Sequence, residues 1–460
     1  MKKLFFSLSF LMMISISLNA FEDHSEYLEG PFETGKDVTA ACLECHEEQA
    51  ESFMHSIHWT WMDENATVER NGKKVAIGKK TILNNFCIGV GSNEPRCTSC
   101  HAGYGWKDDS FDFSNSENID CVVCHDQTGT YKKSPPGAGI EVKGLDLEKI
   151  AQSVGPTSNE TCGSCHFYGG GGNNVKHGDL ENALLTADRK LDVHMSHDGA
   201  DLECTACHKT KDHAIPGTAL SLGTKSSDLV QCENCHTAAP HKSKMLNKHY
   251  TAVACQTCHI PEFARVNPTK MEWDWSTAGQ ELDLGKDENG MPRHMKKKGS
   301  FIWDKNVVPT YAWYNGKSER MVLGDPIDFS KVNYMSEPVG DITDKTAKIF
   351  PFKIHKAKQV ADKKHNYLLT TQVWKGYWEH FDWDKALKVG AEANNLPYSG
   401  EYDFVETAMY WKINHMVAPK EDALECIDCH GKKQTRIDWV ALGYTEGYPR
   451  KNGGRFSQKR

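Results

Sequence analysis

Cys-x-x-Cys-His occurs eight times in this 460-residue chain, and no other feature restricts its folding as strongly. The motifs are Cys42, Cys45, His46; Cys97, Cys100, His101; Cys121, Cys124, His125; and Cys162, Cys165, His166. Then follow Cys204, Cys207, His208; Cys232, Cys235, His236; Cys255, Cys258, His259; and Cys426, Cys429, His430. Together they use sixteen of the 17 cysteines. Two cysteines three apart on a helical turn lie on one face. They can add to the two vinyl groups of one porphyrin, while the next histidine swings under the ring to bind iron. A shuffled chain of this composition would carry roughly 0.03 such motifs. Paired C-x-x-C units sharing a structural zinc leave the repeated histidine unexplained, and a disulfide scaffold fails on the same spacing. The expected cofactors are eight covalently attached haem c groups with their irons.

Composition agrees with that expectation. Only 39% of residues are hydrophobic and the mean hydropathy is −0.59, poor material for several protein-only cores. One porphyrin per about 55 residues would supply the missing apolar surface. The net charge of −8 offers no basic excess for counterion release, which argues against nucleic acid as a partner.

Residues 1–20 read as a secretory leader: Lys2 and Lys3, an apolar stretch from Leu4 to Leu18, then Ala20 as a small residue for cleavage. Fifteen residues are too few to span a bilayer as a helix, and no later stretch is long and apolar enough. The expectation is an exported, periplasmic, soluble chain without a membrane span, an uncleaved anchor being the rival.

Each iron held by a motif histidine has a second axial position to fill. The 22 histidines less the eight in motifs leave fourteen for that purpose. The expected distal ligands are His58, His177, His194, His213, His241, His249, His355 and His415, one of which is surplus if a haem keeps an open face. His24 and His294 are weaker candidates, and His55, His197, His365 and His380 fall between. A solvated or hydrogen-bonded side chain is the alternative for each.

Seven motifs lie between Cys42 and His259, and the eighth follows a gap of 166 residues. The natural division is a haem-rich region over 21–265, made of short helices and long loops, and a C-terminal helical region over 266–460. In the latter, Phe381 to Ala393 and Tyr402 to Val417 show apolar residues at helical spacing, with Pro419 ending the second. His415 on that helix would pack over a haem face. Trp374, Trp378, Trp383 and Trp411 read as core or haem-packing residues. The fold class expected is mainly α with extensive coil and little sheet, a multihaem cytochrome c fold. Gly169 to Gly172 is either a flexible turn or a wall pressed against a cofactor.

The motif count and local sequences resemble the octahaem tetrathionate reductase family of periplasmic cytochromes c. The specific parts are the run at 169–180, Ile349 to His355, and Asn414 to His430, and the resemblance covers nearly all of the mature chain. It implies seven bis-histidine haems and one catalytic haem bound by a lysine from outside its motif beside a cysteine. Carried over, these are the haem on Cys97 and Cys100, with Lys176 and Cys87; whether Lys176 displaces His101 stays open. Cys87 is the seventeenth cysteine and lies ten residues before Cys97. A buried small hydrophobe is its alternative, and a surface residue is the alternative for Lys176. If the segment is extended, Lys176 and His177 point to opposite sides.

The resemblance implies two-electron cleavage of tetrathionate to two thiosulfates, with a Cys87 thiolate attacking or holding a sulfane sulfur. Nitrite or hydroxylamine reduction is the alternative enzyme, and an electron conduit with every iron saturated is the non-enzymatic one. Lys73, Lys74, Lys79, Lys80 and Arg96 flank Cys87 and offer a positive field for an anion, solvated surface charge being their other role. The expected electron donor is a quinol dehydrogenase or a small periplasmic cytochrome.

Overall fold

The computed structural model describes residues 23–70, 72–87, 89–217, 229–431, 433 and 436–444. The expected leader, residues 1–20, lies outside the described residues.

From His24 to His259 the chain is short helices joined by loops. The longest helix, Gly35–Met54, starts at an N-cap where Thr34 accepts from the Asp37 N–H and Asp37 reaches back. Other motifs sit on single turns, such as Val122–His125, Cys204–Cys207, Cys232–Cys235 and Cys426–His430. A hairpin, β1 (Asp63–Arg70) and β2 (Lys73–Ile77), interrupts this pattern.

Residues beyond 265 correct the expectation of a mainly helical protein, since strand makes up 21% of the chain against 27% helix. Nine strands form one sheet: β3 (Thr269–Asp274), β4 (His294–Met295), β5 (Gly299–Asp304), β6 (Thr310–Tyr314), β7 (Ser318–Arg320), β8 (Asn333–Pro338), β9 (Lys348–Asp362), β10 (Tyr367–Leu368) and β11 (Tyr402–Lys412). The main order is β4-β5-β3-β9-β11-β8-β7, and β6 and β10 also pair with β9. β9 is the spine, antiparallel to β11 from Asp362↔Tyr402 to Phe352↔Lys412 and parallel to β3.

The expected helix Tyr402 to Val417 is therefore a strand over Tyr402–Lys412, and His415 follows it in a loop. Its sequence fits helical spacing and alternation alike. Aromatic and β-branched residues (Tyr402, Phe404, Val405, Thr407, Tyr410, Trp411) and a full-length partner decide for the strand. The other expected helix exists over Trp383–Ala393, capped by the Asp382 side chain accepting from the Lys385 N–H.

The sheet carries its own aromatic core, with Trp273, Trp275, Phe301, Trp303, Tyr377 and Trp411 among its buried members. Along β9, Lys353, His355, Ala357, Gln359 and Ala361 share one buried face. Three of these are polar, so the face must be satisfied by whatever lies on it. Two loops from the first half accept from Lys353 and Gln359, and they carry Cys87 and Lys176. No helix among the described residues is long and apolar enough to cross a membrane.

Candidate haem cradle and active site

The motif helices surround one continuous cavity of about 3020 Å³, several times the roughly 300–1,000 Å³ of an ordinary small-molecule pocket. Cysteines of all eight motifs and many of the histidines line it. All described cysteines are free. Thiols of different motifs touch in four places: Cys42 with Cys121, Cys100 with Cys165, Cys162 with Cys204, and Cys232 with Cys255. Cys124 with Cys162, Cys207 with Cys235, and Cys258 with Cys429 are near enough to act on each other's charge, so all eight motifs form a contiguous series.

Five motif histidines face a second histidine across this cavity: His46 with His24, His166 with His58, His236 with His194, His259 with His241, and His430 with His249. Every ring-centre separation is 6.1 Å. Two imidazoles bound on opposite sides of one metal, with bonds of about 2.0–2.1 Å, put their centres roughly that far apart. His125 and His213, and likewise His208 and His415, lie near enough for one charge to act on the other. Nδ1 of several of these rings is anchored: His125 donates to the Gly155 carbonyl and His208 to the Pro216 carbonyl, each at 2.8 Å. His213 Nδ1 is 2.8 Å from Ser52 Oγ, and His415 Nδ1 is 3.1 Å from Asp179. Anchoring one nitrogen aims Nε2 into the cavity, the usual support of a metal-bound imidazole.

Of the eight expected distal histidines, the structure sets His58, His194, His213, His241, His249 and His415 opposite motif histidines. His24 takes a seventh place. His177 instead packs edge-on to Trp411 at 5.2 Å, and His355 is fully buried, stacked on Phe86 at 4.3 Å with neither ring nitrogen partnered. His294 bonds Ser300 and the Gln280 carbonyl, His197 bonds Asp201, and His365 stacks on Tyr367. His380 Nδ1 accepts from the Asp382 N–H at a turn, and His55 is an exposed C-cap. His177 lines the cavity near enough to His166 to feel its charge, but that motif histidine already faces His58.

His101 is the eighth motif histidine, and it turns away. Its Nε2 donates to the Trp59 carbonyl at 2.6 Å, and the ring is boxed by Trp59, Trp61, Trp106, Phe111 and Phe113 at 4.8–6.1 Å. Burial pushes its pKa down to about 3, so it stays neutral. The nitrogen that the other rings aim into the cavity is committed here to a carbonyl.

Lys176 lies instead beside Cys97 and Cys100, its amine 5.0 Å from the Trp411 ring centre. Burial first, then the charge of Lys79, bring it down to about 8. The segment is a series of turns rather than extended, so Lys176 and His177 line the same cavity, contrary to the expectation of opposite sides. Gly170, at φ +78°, allows this: a Cβ there would meet Phe86 and Val175 at 3.1 Å. The glycine run is a wall against the residues of the site.

Cys87 follows an Asx turn in which Asn84 Oδ1 accepts from the Phe86 and Cys87 N–H groups at 2.9 and 3.1 Å. The turn is clamped to the sheet: Gln359 donates to the Asn84 carbonyl, Asn85 donates to the His355 carbonyl, and Thr407 donates to Asn85. Two residues along the same face of β9, Lys353 donates to the Val175 and Lys176 carbonyls, both at 3.0 Å. One strand thus fixes the spacing between Cys87 and Lys176. Asn85→Ala is expected to leave the His355 carbonyl without its side-chain donor, at about 1–3 kcal/mol, while the Thr407 hydroxyl keeps the Ala357 carbonyl. Hydrogen exchange at 84–90 would report it as faster opening of that loop, with β11 unchanged away from Thr407.

Burial raises the Cys87 thiol, while Lys298, Lys270, Arg96 and Lys176 pull it the other way. Lys73 and Lys74 are exposed on the β1–β2 hairpin, not at the thiol. Lys79 sits 3.7 Å from the Trp61 ring centre, nearer Lys176, and Lys80 lies by Phe113. The sequence reading missed Lys270 and Lys298, which come from β3 and the turn before β5.

Thiol pairs on single turns and histidines facing across 6.1 Å define a multihaem c-type cytochrome, with haem c bound covalently and a redox role. Family models agree: Cytochrome c554 and c-prime matches residues 41–126 and 161–237, and Cytochrome c bacterial matches 270–433. An uncharacterized protein of Archaeoglobus fulgidus is 25% identical over 45% of this chain and 82% of its own. The multiheme cytochrome MtrA of Shewanella baltica is 24% identical over 41% of this chain and 56% of its own. The octaheme cytochrome c of Shewanella oneidensis superimposes with a TM-score of 0.89 at 51% identity, covering 94% of this chain and 98% of that one. The chain belongs to the octaheme c-type cytochromes.

Proposed function

We propose that this chain is an exported, periplasmic octahaem cytochrome c that reduces tetrathionate to thiosulfate at the haem on Cys97 and Cys100. In this reading Lys176 replaces His101 on that iron, and seven haems lie between the histidine pairs described above. The observation that carries it is the diversion of His101 to the Trp59 carbonyl while Lys176 and Cys87 converge beside the same motif. A conduit of eight equivalent haems gives no reason for that exception. The haems, when bound, supply electrons from an external donor, a quinol dehydrogenase or a small cytochrome, and an iron that polarises the anion.

The chain's own part is binding and orientation. Arg96, Lys270, Lys298 and Lys176 give the acidic protein a local positive field for a dianion. Cys87, held as a thiol by burial, offers a soft uncharged contact to a sulfane sulfur rather than a standing thiolate. Two electrons entering the central sulfur–sulfur bond release two thiosulfates, and neither product needs a proton. Nitrite reduction to ammonium takes six electrons and hydroxylamine reduction two, and both consume protons but need no thiol.

Cys87→Ala in the holoprotein separates these chemistries. Tetrathionate turnover is expected to fall roughly tenfold or more, equal to at least about 1.4 kcal/mol of transition-state stabilisation, with hydroxylamine turnover kept. Equal loss of both would sink the sulfur-specific role. Carbon monoxide binding by the reduced protein tests the enzyme reading itself, because a set of saturated irons would not take it up.

A further inference from the structure

Lys270 stands on a face that simple alternation would deny it. Along an unbroken strand it would share the outer face of Glu272 and Asp274, whose carboxylates lie 3.8 Å and 4.0 Å from Lys356 and Lys358. The β3–β5 register slips between Lys270 and Glu272, a bulge that re-aims the side chain. Lys270 pairs with Trp303, and Trp273 pairs with Phe301. Its Nζ lies 3.5 Å from the Trp273 ring centre, 3.7 Å from Phe301 and 4.7 Å from Trp303.

Three rings thus cage an amine that is only 4% exposed, and no carboxylate pairs with it among the described residues. Burial, then the charge of Lys298, push its pKa well below the usual lysine range, so an anion beside it would restore the ammonium. Lys353, equally buried, differs: it gives hydrogen bonds to Val175, Lys176 and Thr269. Aromatic faces hold a cation in place, yet they do not replace the strong acceptors that a buried ammonium ordinarily needs. The Cys87 thiol packs against the same aromatic cluster, and the charge of Lys270 acts on it.

We propose that caged Lys270 seats an oxoanion end of the substrate beside Cys87, making this site prefer anions of higher charge over neutral substrates. The proposal rests on the reading that substrates react beside Cys87, and adds the residue that selects among them. The bulge supplies the position, the rings fix it, and the anion supplies the acceptor.

Lys270→Met in the holoprotein tests this, since methionine fits an apolar cage and removes only the charge. Lys356→Met, on the exposed outer face of β9, controls for net charge. The expected result is a KM for tetrathionate raised roughly ten- to hundred-fold, the range for a lost hydrogen bond to a charged group, with kcat little changed. Nitrite should show a smaller rise, and hydroxylamine, uncharged at neutral pH, none. Thiosulfate affinity measured by calorimetry on the oxidised protein should fall in parallel. An equal rise for hydroxylamine, or unchanged KM and affinity for every anion, would overturn the proposal. If the wild type does not turn over tetrathionate, the functional reading falls separately. The anion seat is then judged on nitrite and thiosulfate alone, and is overturned if neither binds more weakly to Lys270→Met than to wild type.

Discussion

Replacing Lys176 with methionine is expected to cost on the order of 100-fold or more in turnover of every substrate. That is the upper end of what losing even an outer partner of a metal site costs. The effect should be spectroscopic as well as kinetic: one iron of the set changes its spin state or ligand field, and the others keep their bis-histidine signature. The structure explains why no rescue should come from His101. To reach an iron, its ring would have to leave the Trp59 carbonyl unpaired and abandon five aromatic neighbours. Lys176→Arg should behave like Lys176→Met, because a guanidinium keeps its proton and offers no lone pair. An unchanged spectrum together with unchanged rates in Lys176→Met would remove lysine ligation from consideration.

The second large effect concerns what holds His101 back. Asp120, 1% exposed, receives Lys133 Nζ at 2.8 Å, the Tyr104 and Tyr131 hydroxyls at 2.9 Å each, and the Val123 N–H at 3.0 Å. Lys133 also donates to the His101 and Gly103 carbonyls. Burial, then the charge of Asp120, raises both phenols, so they remain donors. Asp120→Ala strands a buried lysine and should cost about 3–5 kcal/mol, seen as a lowered thermal midpoint. Asp120→Asn, which keeps two acceptor lone pairs, should cost less. If the two variants were equally mild, the network would have no hold on the His101 loop.

Different layers of this molecule were legible to different degrees. The haem attachment points are local patterns, and spacing suffices to find them. Cys87 stood out as the cysteine without a motif, whereas Lys176 came from family resemblance and would otherwise have passed for a surface residue. The sheet was hidden for a physical reason. The buried face of β9 carries Lys353, His355 and Gln359 while the other face carries Ile354 and Val360 as well as Lys356 and Lys358, so hydropathy shows no period of two. β11 satisfied both periods, and only its partner strand resolves the tie. Distal histidines are chosen in three dimensions: His355 has a suitable sequence setting but points at Phe86, while His24, near the start of the described chain, faces His46. Lys270 was invisible because a bulge, which leaves no mark in composition, turned it inward.

The molecule is cored by two kinds of matter, and this bears on how it is made. The sheet packs tryptophans and phenylalanines on one another. The helices before it hold smaller clusters around the long cavity, such as Leu28, Val38 and Val122, or Ala50, Trp59 and Ile119. Another, of Phe167, Leu184, Leu191, Ile260 and Phe263, closes against Ile413 and Met416. A newly made chain without porphyrin therefore has a later half with an aromatic core to collapse onto and an earlier half with less. Attachment must come before compaction there, as with small metallodomains that are unfolded until loaded. Under haem shortage, proteolysis should consume the polypeptide from the front, making cofactor supply the quality control on this protein's abundance.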